Sequence, residues 1–335
     1  MTKLLTRFFW VLLAATPLLG ASATPASRSR SPGVIATNTN DLVEKEYLKL
    51  LADDNAAQAE IDQWIKQDEK FREEGAGLAD VTLRPRIKQR FDPIRKAYVE
   101  FLQHHPDHAR ARLAFGGFLN DMGEEEEAVQ QWEKARILDP ANPAVWDNLA
   151  TYYGHNGSAK KAFDYYGKAI ALSPKESVYY QNLAMTVYLF RKEAQEYYEM
   201  TEPQIFNKTL ALYRKALALD PSNFPLATEL AQTFYGFKPM TSENVELTLR
   251  EEKKHYSEAL EAWRVALALA HDDMEREGVY VHLARINLMV GRWDEARRNL
   301  TLVTNGIYHA VREKLEKKLA NQENKALSAP PPSLR

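Results

Sequence analysis

The pattern of apolar and polar positions predicts pairs of amphipathic helices through the middle of the chain. In the segment that ends at Pro174, Leu149, Ala150 and Tyr153 fall at i, i+1 and i+4, so they share one face of a helix. Gly157 predicts a tight turn, and a second apolar stripe follows it. Because one such hairpin cannot bury its apolar face alone, the pattern predicts stacked copies.

Copies of this unit recur along the chain at matching offsets. The closing proline recurs at steps of 34, 34 and 47 positions. The recurrent positions are the closing proline (Pro106, Pro140, Pro174, Pro221), the second-helix aromatic (Tyr98, Trp132, Tyr166, Tyr213, Trp263), its small partner (Ala135, Ala169, Ala216, Ala266) and the first-helix pair (Phe115-Gly116, Leu149-Ala150, Leu183-Ala184, Leu230-Ala231, Leu283-Ala284). Agreement of four independent tracks argues against unrelated helices and for a repeat.

These marks resemble a tetratricopeptide (TPR) repeat, which has a Trp, Leu, Gly/Ala, Tyr, Ala, Phe/Tyr and Pro signature over 34 residues. The matching positions in the clearest copy are Trp146, Leu149, Ala150, Tyr153, Gly157, Ala162, Tyr166, Ala169 and Pro174. The resemblance covers roughly residues 84–304. It implies an all-α, right-handed superhelical solenoid of helical hairpins with N- and C-terminal capping helices. Its motifs are specific to architecture and not to a reaction.

The domain organisation follows from where the periodicity starts, stretches and stops. We expect a signal peptide at 1–23, a flexible leader at 24–40, a long helix and linker at 41–83, the repeats at 84–304, a capping helix at 305–325 and a disordered tail at 326–335. The predicted repeats lie near 109–142, 143–176, 177–223, 224–273 and 277–304. The third and fourth repeats are longer than the others, so each is expected to carry an insert.

The N-terminus has the pattern of an export signal. Lys3 and Arg7 precede an apolar run at Phe8–Leu19, and Ala21-Ser22-Ala23 matches a cleavage site. The run is short for a membrane span. We expect cleavage after Ala23, a periplasmic or secreted location, and no membrane insertion afterwards. The alternative is an uncleaved anchor.

Composition excludes several classes of function. The net charge of -2 shows no basic excess, so nucleic acid is not an expected partner. The absence of cysteine excludes thiolate catalysis and a cysteine-based zinc site. The chain has no P-loop, dinucleotide fingerprint, zinc-protease helix or nucleophile elbow. We therefore predict no enzyme activity and no cofactor.

Two clusters of polar residues allow a metal interpretation and a simpler one. His104, His105 and His108 flank Pro106, and imidazoles at a helix C-terminus also interact favourably with the helix dipole. Glu124–Glu127 follow a glycine turn, where acids complement the positive end of the next helix. The simpler interpretation is favoured for both, so no metal site is predicted.

The resemblance implies a concave groove that is lined by first helices and holds a partner protein or an extended peptide. The predicted lining residues are Asn148, Thr151, His155, Gln181, Asn182, Met185, Tyr188, Gln232, Tyr235, His282 and Arg285. Amides pair with peptide backbone, and aromatics supply contact area with a polar end. The alternative is that these side chains are only solvated or contact the inserts.

Chaperone-binding TPR proteins clamp a C-terminal carboxylate with Lys and Arg at fixed groove positions. The fifth position of successive repeats reads Leu113, Asp147, Gln181, Thr228 and Val281, without lysine. A clamp of that kind is therefore not expected. The sequence thus predicts a non-enzymatic, exported TPR adaptor or scaffold. Two alternatives stay open: a structural subunit of an envelope assembly or polysaccharide-export machine, and an enzyme with a site under the inserts at 190–203 and 237–257. Neither the identity of the partner nor the oligomeric state can be predicted.

Overall fold

The computed structural model describes residues 41–73, 80–237 and 245–328 of the chain. Within these ranges the regular structure consists of α-helices and one short 3-10 turn, and no strand is present. The predicted all-α class is confirmed. The predicted signal peptide and leader, residues 74–79 and residues 238–244 lie outside the described residues.

The chain divides into two compact units, whose described parts run over 41–174 and 175–328. The first unit contains α1 (Leu42–Glu73), α2 (Asp80–His104), α3 (Ala109–Asp121), α4 (Glu125–Leu138), α5 (Pro143–His155) and α6 (Ala159–Leu172). α3 and α4 form one helical hairpin, α5 and α6 form another, and α4 packs against α5. The long helix α1 packs against α2 and α3.

Polar caps and glycine turns define the hairpins of the first unit. The Asn142 side chain accepts a hydrogen bond from the Ala144 amide at 3.1 Å, and Pro143 takes the first helical position of α5. Gly123 and Gly157 have φ of 80° and 78°, a conformation that favours glycine, at the turns of the two hairpins. Local sequence therefore fixes where each helix begins and turns.

The interface of α1 contains buried polar groups that are paired. Asp54 interrupts the apolar stripe of α1 and is fully buried, and it accepts a hydrogen bond from Tyr98 Oη of α2 at 2.6 Å. Glu44, also buried, pairs with Arg110 Nη1 of α3 at 2.9 Å. Burial of a carboxylate is tolerated when it is paired and hydrogen-bonded, so these contacts fix α1 to its neighbours.

The second unit contains three further hairpins and a terminal helix. Its elements are α7 (Ser177–Leu189), α8 (Arg191–Tyr198), α9 (Glu202–Leu219), α10 (Phe224–Gly236), α11 (Val245–Leu269), α12 (Asp273–Met289), α13 (Trp293–Thr301), a 3-10 turn (Gly306–Tyr308) and α14 (His309–Ser328). The hairpins are α7/α9, α10/α11 and α12/α13, and α14 packs against α13 and α12.

The described parts of both inserts are helical. α8 lies between α7 and α9 in sequence and packs on both. α9 begins at a capping box, where Gln204 Oε1 accepts from the Thr201 amide at 2.8 Å. In the other insert, the charged extension from Val245 and the second helix of the repeat are one continuous helix, α11. Within it, buried His255 places Nε2 3.0 Å from the Phe234 carbonyl of α10.

Three helix bounds differ from those that the sequence predicts. α2 begins at Asp80, before the expected start of the repeats at residue 84. α12 begins at Asp273 and not at Glu277, because the Asp272 side chain caps it by accepting from the Glu275 amide at 2.8 Å. α14 continues to Ser328, past the expected end at residue 325. The remainder of the predicted tail, 329–335, lies outside the described residues.

Candidate binding face

The predicted groove residues are divided between the two units. α5 of the first unit carries Asn148, Thr151 and His155, and the second unit carries the other eight. The Thr151 hydroxyl lies 3.0 Å from Tyr166 Oη, so it is tied to its own hairpin. Asn148 is half-buried and His155 is exposed. The α5 residues form a set of their own, and the second unit has the more developed arrangement.

Side chains join the three first helices of the second unit to one another. Gln181 Nε2 of α7 donates to the Glu229 carboxylate of α10, at 3.0 and 3.1 Å from its two oxygens. Tyr235 Oη of α10 lies 3.1 Å from His282 Nδ1 of α12. We call this surface the α7–α10–α12 face; its residues are Gln181, Asn182, Met185, Tyr188, Glu229, Gln232, Tyr235, His282 and Arg285. All are half-buried, so each retains some access to solvent.

A close approach between α7 and α10 depends on a glycine. A Cβ added to Gly236 would lie 2.1 Å from Tyr188 Oη, a distance that no real contact allows. The Tyr188 ring also lies 5.9 Å from the Phe237 ring, and the Arg191 guanidinium lies 5.3 Å from the Tyr188 ring. Tyr188 thus forms the aromatic edge of the face where α7 and α10 end.

Glu229 is the functional candidate that the sequence prediction missed. Burial raises its pKa to about 7, although hydrogen bonds from Gln181 and Tyr213 act in the opposite direction. A carboxyl group with this pKa accepts hydrogen bonds when ionised and also donates one when protonated. Glu229 occupies the same offset in its repeat as Asn182 and His282, so the repeat register could have identified it.

α12 contributes an aromatic stack to the face. The His282 ring lies parallel to the Trp263 ring of α11, with centroids 4.0 Å apart and an interplanar angle of 5°. Burial, together with the nearby Arg285 charge, lowers the pKa of His282 to about 3, so the imidazole is neutral at physiological pH. Burial also raises the pKa of Tyr235, which keeps its phenol protonated.

Arg285 carries the positive charge of the face. Its guanidinium lies 5.6 Å from the Tyr235 ring centroid, which is within the range of a cation–π contact. No carboxylate of the described ranges lies within ion-pair distance of it. The face therefore combines amides, aromatic rings, a carboxyl group and one cation, a mixture that suits recognition of an extended polypeptide.

The histidine cluster and the acidic cluster, for which a metal site was considered, make contacts that stabilise helix ends. His108 Nδ1 accepts from the Ala111 amide at 3.0 Å, so His108 caps α3. Arg95 of α2 pairs with Glu124 at 2.8 Å and with Glu127 at 2.7 Å, at the start of α4. Across 41–73, 80–237 and 245–328, no group of three or more His, Asp or Glu side chains could hold a metal ion.

The described parts of the inserts do not bring perturbed acids together. Near them, burial lowers the pKa of Lys208 and of His255 and raises that of Tyr256. The carboxyl groups with shifted pKa values in the described ranges are Glu229, Glu277 and Glu313, on α10, α12 and α14. Within the same ranges, no helix has the length and apolar character needed to span a bilayer.

Comparisons with known proteins found matches among solved structures only. No family model matches it, and no curated protein matches it. The matching solved structures include YrrB, a TPR protein with an unusual peptide-binding site, at 13% identity over 67% of this chain and 99% of YrrB, with a TM-score of 0.48. They also include the type IV pilus biogenesis factor PilW, at 14% identity over 76% and 98% of the two chains, and Pseudomonas aeruginosa PilF, at 14% over 82% and 100%, each with a TM-score of 0.48.

These similarities are too low to carry a function to this chain. The assignment of fold rests on its own helices, in which two helical hairpins of the first unit and three of the second repeat the predicted positions. The recurrent aromatics of the second helices are buried, as Trp132, Tyr166, Tyr213 and Trp263 show. These are TPR-type hairpins.

Proposed function

We propose that the chain is a non-enzymatic TPR adaptor or scaffold that binds an extended segment of a partner protein on the α7–α10–α12 face. The observation that carries this proposal is the pair of hydrogen-bonded links, Gln181–Glu229 and Tyr235–His282, across adjacent first helices. They hold polar and aromatic groups of three helices in a fixed arrangement. A prearranged surface loses less side-chain entropy when a partner binds.

The composition of the face suits a backbone in extended conformation. Gln232 and Asn182 offer both donors and acceptors, and Met185 provides an adaptable apolar contact. Tyr188 and Tyr235 add aromatic area with a polar end. A polypeptide segment needs both kinds of contact, because its amides require partners while its side chains bury apolar surface.

Export from the cytoplasm is part of the proposal and is supported by the N-terminal sequence pattern. The expected product begins after Ala23 and is found in the periplasm or the medium. N-terminal sequencing of the protein recovered from fractionated cells of the source organism tests this expectation. Recovery of an intact N-terminus from the cytoplasmic fraction would contradict export and leave the binding face unaffected.

Site-specific photo-crosslinking in the source cells tests the binding face. A benzoyl-phenylalanine at Met185 or Gln232 is expected to give a crosslinked product with a partner protein. The matched control is the same residue at Arg264, an exposed position on α11 that pairs with Glu261 at 3.4 Å. Products from Arg264 alone would contradict the proposal and favour a structural subunit engaged through its second helices. Products from neither position would contradict a stable adaptor.

A further inference from the structure

Helix α12 carries two neighbouring hydrogen-bond donors. His282 and Arg285 are three residues apart on the same helix, so their side chains are neighbours on its surface. Both are half-buried, and both belong to the α7–α10–α12 face. The contacts of each side chain show which of its hydrogen-bonding groups remain available to a ligand.

The proton of neutral His282 can be assigned from its neighbour. Tyr235 keeps its phenol proton, and the only hydrogen-bond acceptor that the described residues offer to its hydroxyl is His282 Nδ1, at 3.1 Å, because the neighbouring Trp263 indole can only donate. A buried hydroxyl proton needs an acceptor, so Nδ1 accepts it. The single proton of the neutral imidazole is then on Nε2. Nε2 has no partner among the described residues and is not among their fully buried unsatisfied atoms, so this N–H is open to a ligand.

Arg285 is the second available donor. Its guanidinium rests against the Tyr235 ring and has neither an ion pair nor a hydrogen bond with the described residues. None of its nitrogens is a fully buried unsatisfied atom. A guanidinium held by an aromatic ring keeps its planar fork of N–H groups free, and that fork matches the two oxygens of a carboxylate.

We propose that His282 and Arg285 form a subsite for the carboxylate of an Asp or Glu side chain within the partner segment. This inference rests on the proposed function, because it specifies what the face recognises. Charge complementarity carries it: the only charged donor of the face has no acidic partner in the described chain. The subsite differs from a lysine-based clamp, since its second donor is a neutral imidazole N–H.

The neighbouring helix favours an internal acidic residue over a chain terminus. Next to α12, α10 presents the Glu229 carboxylate, which accepts hydrogen bonds from Gln181 and has no cation paired with it in the described ranges. A second carboxylate at that position would lie beside the Glu229 carboxyl with no cation to pair with, whereas backbone N–H groups of a continuing segment would find an acceptor. The segment is therefore expected to extend across α10 on one side of its acidic residue.

Selection from a random library of displayed 12-residue peptides tests the subsite, with the full chain from residue 24 as bait. We expect the wild-type chain to enrich peptides with one acidic position, and Arg285→Gln to lose that preference. The matched control is Arg298→Gln on α13, where Arg298 is exposed and pairs with Glu295 at 3.0 Å. That control should retain the preference. Helical content and melting temperature show whether each variant is folded.

Affinity measurements with the enriched peptides show whether the bound carboxylate belongs to an acidic side chain or to the peptide C-terminus. Replacing the acidic residue by its amide should weaken binding to the wild type about tenfold, as expected for loss of one charge-assisted hydrogen-bonded pair. Amidation of the peptide C-terminus should leave binding unchanged. His282→Phe retains a ring against Trp263 but lacks both the N–H and the acceptor for Tyr235. It should weaken binding of the acidic peptide more than binding of the amide peptide.

The outcomes distinguish failure of the proposed subsite from failure of the whole α7–α10–α12 face to bind a peptide. Enriched peptides without an acidic position, or an acidic preference that persists in Arg285→Gln, would overturn the subsite and leave the peptide-binding face standing. If only amidation of the peptide C-terminus lowers the affinity, the subsite binds a chain terminus and not an acidic side chain. That result would overturn the proposal. Failure to enrich any peptide would count against both the subsite and the proposed function.

Discussion

Arg110 in the first unit and Arg285 in the second have similar aromatic surroundings and different ionic ones. Each guanidinium lies over a tyrosine, Arg110 at 4.7 Å from the Tyr47 ring centroid and Arg285 at 5.6 Å from that of Tyr235. Arg110 is also paired at 2.9 Å with the buried carboxylate of Glu44 from α1. For Arg285, the described part of the chain supplies no such carboxylate.

Under our proposal, the difference separates an arginine that stabilises the fold from an arginine that binds a partner. In the first unit, α1 covers the repeats and brings the acid that the arginine needs, so the pair contributes to folding. In the second unit, the corresponding acid is expected to come from a partner. Because an unpaired, half-buried guanidinium remains partly hydrated, it can persist without a partner at modest cost.

Removing the internal acid should be the most damaging change. Glu44→Ala leaves Arg110 half-buried without its carboxylate, and breaking such a pair costs about 3 kcal/mol of unfolding free energy. Urea unfolding followed by circular dichroism measures the loss. The matched control is Glu46→Ala, because Glu46 is exposed and its contact with His105 is 3.5 Å long. Equal losses in both variants would contradict a structural role for the Glu44–Arg110 pair.

Glu229→Gln should change how stability depends on pH. The pKa of Glu229 is raised to about 7 in the fold, so ionisation is disfavoured in the folded state. The stability associated with its protonated form is therefore complete below about pH 4.5 and is lost as pH rises through 7. The variant should be more stable than the wild type at pH 8 by about 3 kcal/mol and about equal to it at pH 4.

Urea unfolding at several pH values measures this difference. The matched control is Glu261→Gln on α11, whose side chain is 68% exposed and should give a pH profile parallel to that of the wild type. A Glu229→Gln profile that also runs parallel to the wild type would show that Glu229 titrates normally. The buried carboxyl of the α7–α10–α12 face would then be no different from a surface acid.

Alanine substitutions at two glycines test how rigidly each unit holds the neighbouring aromatic side chain. A Cβ at Gly116 would meet the buried Trp132 indole at 2.3 Å, and one at Gly236 would meet Tyr188, which is half-buried, at 2.1 Å. Overpacking against a fixed ring costs more than displacing a side chain that can move toward solvent. We expect Gly116→Ala to lose about 2 kcal/mol and Gly236→Ala about 1 kcal/mol. Thermal unfolding of the two variants checks this order, and a reversed order would contradict it.

Arg285→Ala should have the smallest effect on stability. Its side chain makes one aromatic contact and no ion pair in the described ranges, so the unfolding free energy should change by about 0.5 kcal/mol or less. Arg110→Ala, measured by the same urea titration, should be several times more damaging. A loss from Arg285→Ala as large as that from Arg110→Ala would assign Arg285 to folding and not to binding.

Periodicity predicted the helices and hairpins because burial of one face imposes it on the sequence. Tyr98, Trp132 and Ala162 are at core positions in the pattern and are buried in the structure. The contacts between side chains were less predictable. His108 caps a helix through its imidazole, which no motif in the sequence indicates. In the sequence, Asp54 only interrupts an apolar stripe. The structure shows that it accepts a hydrogen bond from Tyr98, which is far away in sequence.

The repeat register predicted which side chains share the α7–α10–α12 face, and the structure added the contacts among them. The repeat offset gave His282 and Arg285 as lining residues, but the direction of the Tyr235 hydrogen bond depends on burial, which the sequence does not show. Glu229 was missed although its offset equals that of Asn182, because a charged residue reads as a solvated one until its burial is known. All the groove residues that the sequence predicts, including those on α5, stay predictions as binding residues.

A double-mutant cycle between protein and peptide tests the central claim most directly. Affinities are measured for an acidic peptide from the selection and its amide counterpart, each with the wild type and with Arg285→Gln. The account predicts a coupling energy of about 1–2 kcal/mol between Arg285 and the peptide carboxylate. A coupling energy near zero would mean that the partner does not supply the acid that Arg285 lacks, and would contradict the contrast with Arg110.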